Sequence, residues 1–571
     1  MLAVRHDSTP AKYAAEFGAQ AARRRRQMLK HSLLAGLLMG LVLCSHVVGA
    51  DVSSPVAITV TSKVIQDHFG GVGFHADFSL PWSTPEHFDQ VLAKRWRELE
   101  PSFARVSHWW MNDQPGVRDP KMLQDLARQL VFMKQSANTE IYLTTMGLGP
   151  VRQGEARLDY VRAVVDDLEY LWKQGATNIR QFCVTNELSS AEWADLTKDH
   201  PTFRDYHQLI FEELKKRQLP IRLLATDASP IVYWKTLEWA AANMDEITGV
   251  YGGHHYANGN GVDDLSFYGW FKDRCAWGVG IARARQKDFI LGEFGPAQYL
   301  QQKFGLRWDT CLYYGTPQEP MAGLQLAEAA LAAINGGVYA MGYWTLTDFP
   351  DRPEWHGINQ WGLFKWLTQG SEPRAPYYAY GLLTKFFRGP ATVYQVEAEQ
   401  ENLRVAATER RADNKWSIAV VNRNAQDTPI SIALPENSPD TAFRKYVYDA
   451  GKPPRTEDGD LQGPAGKVEP KNKRLADVVG GLTLTVYTTA YDEVPPAPVQ
   501  GLEVSKLTDG KLIKWSANRE TDLGYYRVYH DGVRIGSTVA TQFADEGPTR
   551  SKPGKYTVVA VDLSGNAIPA K

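Results

Sequence analysis

From about residue 70 to residue 388 the chain alternates short β-branched or aromatic runs with longer stretches of helical period, the pattern of a parallel sheet joined by crossover helices. Eight runs read as strands: "GVGFHA" from Gly71, "SFARVS" from Ser102, "IYLTTM" from Ile141, "IRQFCVTNE" from Ile179, "RLLATD" from Arg222, "ITGVYGGHHY" from Ile247, "DFILGEFG" from Asp288 and "VYAMGYWTL" from Val338. Segments such as "PEHFDQVLAKRWREL", "LDYVRAVVDDLEYLWKQG" and "QLAEAALAAINGG" lie between them with apolar residues at helical spacing, and the glycines of the last are placed to stop a helix. Eight such units predict an α/β TIM barrel, (β/α)8, with insertions. A doubly wound sheet is the competing arrangement; the missing glycine-rich phosphate turn after the first strand counts against it.

Past Pro390 the rhythm shortens to "LRVAATE", "WSIAVVNRN", "ISIAL", "RKYVYDA" and "LTLTVYTTAYD", separated by polar turns and with no long helical period. That predicts an antiparallel β-sandwich over 391–492, to which the early run "VAITVT" from Val56 is a candidate extra strand. "EVPPAP" from Glu493 reads as a proline-rich linker. The final ~75 residues, a domain-sized length, resemble a fibronectin type III domain, with Trp515 as its core tryptophan and Tyr556 in the late strand where that fold keeps a tyrosine. The barrel is thus expected over 51–390 and the terminal domain with its linker over 493–571.

Residues 1–50 have the form of an export signal: "RRRRQMLK", the apolar run "LLAGLLMGLVLC", then "VVGA" before Asp51. Arg25 and Arg26 fit a twin-arginine signal, and Met28 fits the start of an ordinary secretory one. Both readings predict a secreted or periplasmic mature chain, with the bulky Leu43 arguing against a lipid anchor at Cys44 and no later run long enough to span a membrane. The remaining cysteines, Cys183, Cys275 and Cys311, have no CxxC spacing and support neither a zinc site nor a disulfide scaffold; Cys275 with Cys311 is the one candidate disulfide. The composition, 43% hydrophobic and 22% charged over 571 residues, allows a large core and more than one domain. A formal net charge of -2 gives no general attraction to nucleic acid or anionic membrane.

Candidate chemistry sits at strand ends. In a TIM barrel the active site lies at the C-terminal ends of the strands. Glu187 ends the fourth run and Glu293 lies near the end of the seventh, 106 residues on, a distance that three βα units of ~35 residues would span. A carboxylate there is costly to desolvate without partners, and two facing across a barrel mouth are what glycosidic bond cleavage requires: one protonated to serve the leaving oxygen, one ionised. Strict alternation would send Asn186 and Glu187 to opposite faces, so both reach the mouth only if the chain turns there.

These motifs resemble the clan A retaining glycoside hydrolases, in which an Asn-Glu pair ends strand four and a second Glu ends strand seven. The resemblance implies Glu187 as acid and then base, Glu293 as nucleophile and Asn186 as a donor to the sugar 2-hydroxyl. It further implies that Arg105 in "ARVS" keeps Glu293 ionised, that His254 and Tyr256 in "GGHHYANG" match a His-x-Tyr pattern with Tyr256 bonded to Glu293, and that Trp344 in "GYWTLTDF" floors the sugar. "HGINQWGLFKWLTQGSEPRAPYYAYGLLTKF" looks like the segment after strand eight in glycoside hydrolase family 39 and its relatives, although "CVTNE" departs from the usual "WNEP" by Thr185 and Leu188. Loop residues at the same end, His75, Asp77, His108, Trp109, Trp110 and Asp348, are candidate substrate contacts. The implied enzyme acts on an oligo- or polysaccharide by double displacement, with no cofactor and with no metal, since His254 and His255 lack a third ligand at a recognisable spacing. Its carboxyl groups should stand ~5–5.5 Å apart. A transglycosylase with the same residues and a non-catalytic carbohydrate-binding surface protein are the alternatives, and Arg374 and Lys365 are candidate contacts for an acidic sugar.

Overall fold

Two burial rhythms run along one strand. In β1 (Val56–His75), the first residues alternate between covered and exposed, whereas every residue from Phe69 onward is buried. The first half has one face packed and one in water; the second is covered on both, as a strand enclosed by helices must be. The computed structural model describes residues 54–77, 84–108, 120–145, 157–188, 199–229, 234–257, 265–296, 320–350, 358–359, 361–400, 402–454 and 459–569.

The buried half of β1 opens a closed ring of parallel strands: β2 (Phe103–Ser107), β3 (Glu140–Thr144), β4 (Ile179–Cys183), β5 (Arg222–Ala228), β6 (Val250–Ala257), β7 (Asp288–Pro296) and β8 (Ala340–Tyr343). β8 returns to β1 in the register Gly71↔Ala340 to Phe74↔Tyr343, which closes the barrel. At Gly73 a Cβ would fall 1.8 Å from the Phe103 carbonyl oxygen, so β1 approaches β2 this closely only with glycine there. Helices α1 (Ala93–Leu99), α2 (Pro120–Ala137), α3 (Arg157–Lys173), α4 (Asp199–Lys216), α5 (Lys235–Asn243), α6 (Phe267–Arg283), α7 (Pro320–Asn335) and α8 (Ala375–Phe386) follow the strands in turn. In α2 the buried Leu123, Leu126, Ala127, Leu130, Met133 and Ala137 keep the three- and four-residue spacing of a one-faced helix.

α7 differs because nearly all of it is buried. It carries one central acid, Glu328, which accepts from Arg404 Nε at 2.9 Å and pairs with Arg423. Arg404 lies in the C-terminal strands and Arg423 directly follows one of them. After two short strands, β9 (Phe349–Pro350) and β10 (Ile358–Asn359), these are β11 (Arg388–Ala398), β12 (Leu403–Arg410), β13 (Lys415–Asn422), β14 (Thr428–Ala433), β15 (Phe443–Asp449), β16 (Gly466–Val468), β17 (Arg474–Val479) and β18 (Thr483–Thr488). The exposed half of β1 pairs antiparallel with β11 and, over Val56–Thr59, parallel with β14, so the early "VAITVT" run does join these strands. Ile58, Val60, Tyr394, Trp416, Ile418 and Ile432 are among the residues of their shared core.

The last residues form two three-stranded antiparallel sheets, one of β19 (Glu503–Leu507), β20 (Gly510–Lys514) and β23 (Gln542–Asp545), the other of β21 (Leu523–His530), β22 (Val533–Thr538) and β24 (Tyr556–Asp562). Ile513, Trp515, Tyr526, Phe543 and Tyr556 share one apolar cluster between them. A buried charge cluster is part of their attachment to the barrel, beside hydrogen bonds such as Val539 N to Asp89 O at 3.1 Å. Asp460 accepts from Lys94 Nζ of α1 at 2.6 Å, from Arg534 Nη1 at 2.8 Å, from Arg527 Nη2 at 3.0 Å and from Tyr525 Oη at 3.2 Å. Burial alone would raise the Asp460 carboxyl, but Lys94, Arg534 and Arg527 outweigh it and hold it far below the usual carboxylate range. A value depressed in the folded state stabilises fully above the unfolded value of about 3.9 and is lost as pH falls through the folded one. Asp460→Asn should therefore cost about 3–5 kcal/mol at pH 7, because the buried Lys94 and the part-buried Arg527 and Arg534 lose the carboxylate they share. The gap in melting temperature between the two proteins should narrow between pH 4 and pH 2, where the wild type loses the same contribution.

Cys183 and Cys275 are free, buried thiols; Cys311, the expected partner of Cys275, lies outside the described residues. Among the described residues no helix is long and apolar enough to cross a membrane.

Candidate active site

β4 ends at Cys183, and the chain then bends so that Glu187 has φ 51. This turn is what alternation required for neighbouring residues to share one face, and both Asn186 and Glu187 reach the barrel mouth. Arg105 of β2 links them to β7: Nη1 donates to Glu293 Oε1 at 2.5 Å, and Nη2 donates to Asn186 Oδ1 at 2.6 Å and to Asp227 Oδ2 at 3.0 Å. Fixing the Asn186 oxygen leaves its amide nitrogen as the donor. Tyr256 Oη of β6 donates to the other Glu293 oxygen at 2.5 Å. His254, also of β6, places Nδ1 3.2 Å from Glu187 Oε1 and 3.7 Å from Glu293 Oε2, while Nε2 lies 2.7 Å from Asp227 Oδ1.

The two glutamates have unlike surroundings. The Glu187 side chain is 27% exposed and that of Glu293 5%. Burial pushes the Glu293 carboxyl up, but His254, Arg105 and the Tyr256 hydroxyl together bring it below its ordinary value, so it is ionised at neutral pH. Burial likewise opposes the charge on His254; Asp227 and Glu293 reverse that and lift the imidazole to about 10. Asp227 is itself lowered to about 2, His254 and Arg105 overcoming its desolvation. Oxygens of Glu187 and Glu293 and a nitrogen of His254 lie within 4.8 Å of one another. These are metal-ligand atom types, and His254 Nδ1 also lies within hydrogen-bond reach of Glu187 Oε1 at 3.2 Å.

Trp344 ends β8 beside Tyr256, Trp361 and Phe349 in an apolar cluster, and its ring centroid is 4.2 Å from that of His75. His75 is not free to greet a ligand: it is 1% exposed, its Nε2 lies 2.9 Å from Asp77 Oδ2 and 3.1 Å from Ser107 Oγ, and its Nδ1 lies 3.4 Å from Arg105 Nη1. It supports Trp344 and Arg105. Asp348, expected as a substrate contact, corrects more sharply. It is fully buried, accepts both Arg374 Nη1 at 2.8 Å and Nη2 at 2.6 Å, and also accepts Gly362 N at 2.8 Å. A carboxylate at the end of β8 thus folds the chain back on itself, and Arg374 is engaged there as well; Lys365 pairs with Glu372 at 2.7 Å. His108 turns toward the helical layer, 3.1 Å from Asp167 of α3. Trp109 and Trp110 lie outside the described residues.

Asp227 is the member that strand-end reasoning passed over. It closes the "RLLATD" run of β5, and an acid ending an apolar run was the same signal that singled out Glu187. Gly292 makes room for it, since a Cβ at that position would sit 3.0 Å from both Asp227 Oδ1 and His254 Nε2. Together these side chains set an ionised, buried carboxylate beside a more exposed carboxyl, with a fixed cation facing both.

No family model matches the chain. Among solved structures it resembles the bacterial orthologue of human α-L-iduronidase, at 14% identity and a TM-score of 0.56 over 90% of this chain and 99% of that one. It also resembles the family 30 subfamily 8 xylanase Xyn30A of Clostridium acetobutylicum, at 14% identity and a TM-score of 0.53 over 76% and 99% of the two chains. The chain shares the barrel fold of these glycoside hydrolases. In sequence, it is 32% identical to Exoglucanase B of Cellulomonas fimi over 109 residues, which are 17% of this chain and 10% of that protein.

Proposed function

We propose that this chain is an exported retaining glycoside hydrolase that cleaves an oligo- or polysaccharide by double displacement. Glu293 attacks the anomeric carbon while Glu187 gives its proton to the leaving oxygen; Glu187 then takes a proton from water, which displaces Glu293. The observation that carries this reading is the pair itself: a carboxylate oxygen of Glu187 lies within 4.8 Å of one of Glu293 across His254 Nδ1, a proximity that favours the short carboxyl spacing of a retaining enzyme over the ~6.5–9.5 Å of an inverting one. Arg105 and Tyr256 keep Glu293 charged and aimed, Asn186 offers its amide to the 2-hydroxyl, and Trp344 supplies the apolar floor. The motif likeness to family 39 belongs to the same reading, and the similarity to a barrel of iduronidase type supports it. Residues 391–492 are read as a β-sandwich and 493–571 as a linker with a fibronectin type III-like domain.

The test is hydrolysis of a panel of plant and bacterial polysaccharides and aryl glycosides, with the anomeric form of the first product followed by NMR. Retention with any substrate supports the assignment. Inversion, or no cleavage across the panel, overturns it.

A further inference from the structure

Between Glu187 and Glu293 stands a single donor atom, His254 Nδ1, nearer the first at 3.2 Å and within reach of the second at 3.7 Å. Double displacement moves one negative charge between these two groups. The double-displacement reading starts with Glu293 as the attacking carboxylate and Glu187 as the proton donor. When the Glu293 oxygen bonds the anomeric carbon and the glycosidic bond breaks, Glu187 releases its proton to the leaving oxygen, so the charge now sits on Glu187. Water attack returns the proton to Glu187 and the charge to Glu293. A counter-charge useful in both half-reactions must face both groups and stay where it is.

We propose that Asp227 is a positioning residue that holds the His254 ring as a fixed cationic donor shared by Glu187 and Glu293, so that one cation faces the charge wherever it lies. Asp227 is fully buried, and its two oxygens are divided: Oδ1 lies 2.7 Å from His254 Nε2 and Oδ2 accepts Arg105 Nη2 at 3.0 Å. With Nε2 held at ion-pair distance from Asp227, Nδ1 is turned toward the glutamates, 3.2 Å from Glu187 Oε1. Arg105 cannot take this part, because its two terminal nitrogens are committed to Glu293, Asn186 and Asp227. The groups facing His254 are Asp227 from β5, Glu187 from the end of β4, Glu293 from β7 and, beyond Asp227, Arg105 from β2. Tyr142 of β3 and Cys183 of β4 flank Asp227; burial pushes both up, so they are neutral. The backbone side of His254 is pinned as well, its carbonyl accepting Trp234 Nε1 at 3.1 Å.

The inference rests on the hydrolase reading for its purpose, but its first test needs no activity. The 15N-labelled substrate-free protein is titrated by NMR from pH 5.5 to pH 8.5, with the His254 resonance identified by its loss in His254→Gln. The expected result is a doubly protonated ring throughout in the wild type and a ring that loses its proton within that range in Asp227→Asn. A wild-type His254 that is neutral at pH 7, or one unchanged by Asp227→Asn, overturns the proposal; should the variant not fold, the wild-type titration still decides it. Where a substrate has been found, Asp227→Asn should lower kcat/KM by about 10²-fold and move the alkaline limb of its pH profile down, with partial recovery in Asp227→Glu. Failure of every glycoside would remove the hydrolase reading and leave the titration result standing.

Discussion

Glu293→Gln should fold normally and lose at least ~10³-fold in turnover on every substrate that the wild type cleaves, because an amide in place of the proposed nucleophile cannot form the covalent intermediate. Glu187→Gln should lose as much on substrates with alcohol leaving groups and far less in the first step on an aryl glycoside whose phenolate needs no proton. In that variant the intermediate accumulates, and added azide should restore turnover and give a glycosyl azide of retained configuration. The corresponding azide product from a small-residue variant at Glu293 should be inverted. Steady-state kinetics and NMR of the azides separate the two roles. Equal behaviour of both variants with both leaving-group classes would remove the assignment of acid and nucleophile.

Arg105→Met should be costly in two independent ways. Arg105 is fully buried, and although burial disfavours its charge, Glu293 and Asp227 raise it well above its ordinary value, so it is always cationic. Removing it leaves two buried carboxylates without one of their two cationic partners, a loss of about 3–5 kcal/mol that chemical denaturation would measure. The Glu293 carboxyl, held down by His254 and Arg105, would then rise. The acidic limb of the kcat/KM profile should accordingly move up by about 1–3 pH units, the range that one adjacent opposite charge produces. A destabilised variant with an unmoved limb would mean that Arg105 serves the fold alone.

The strands of the barrel were legible because each is apolar and bounded by turn residues, and the helices because their apolar positions repeat. Glu187 and Glu293 stood out since a charged group ending a buried run must have partners. The run "VAITVT" was readable as a candidate strand, but not that it continues into "GVGFHA" as one strand paired with both β11 and β8. Less readable was which polar strand end serves the site and which serves the chain. Asp227 lies near the end of β5 and Asp348 a few residues past β8, yet Asp348 answers Arg374, 26 residues ahead, while Asp227 answers Arg105, 122 residues behind. Such pairings depend on where loops bring side chains, and local pattern carries no record of that. The ionic attachment of Asp460 to Lys94, 366 positions earlier, was hidden for the same reason.

The double membership of β1 has a consequence for how the chain reaches its native state. Ile58 pairs with Ala398 and Val56 with Ile430, while Gly71 closes the barrel against Ala340. The first strand made is therefore among the last to be completed, and contacts of this sequence separation delay folding. During synthesis in the N-to-C direction, the chain must hold that strand open until about residue 430 has followed it. The barrel is consequently not a cassette that can be cut at residue 390 and recombined: truncation there would strip the antiparallel partner from the strand that closes the ring.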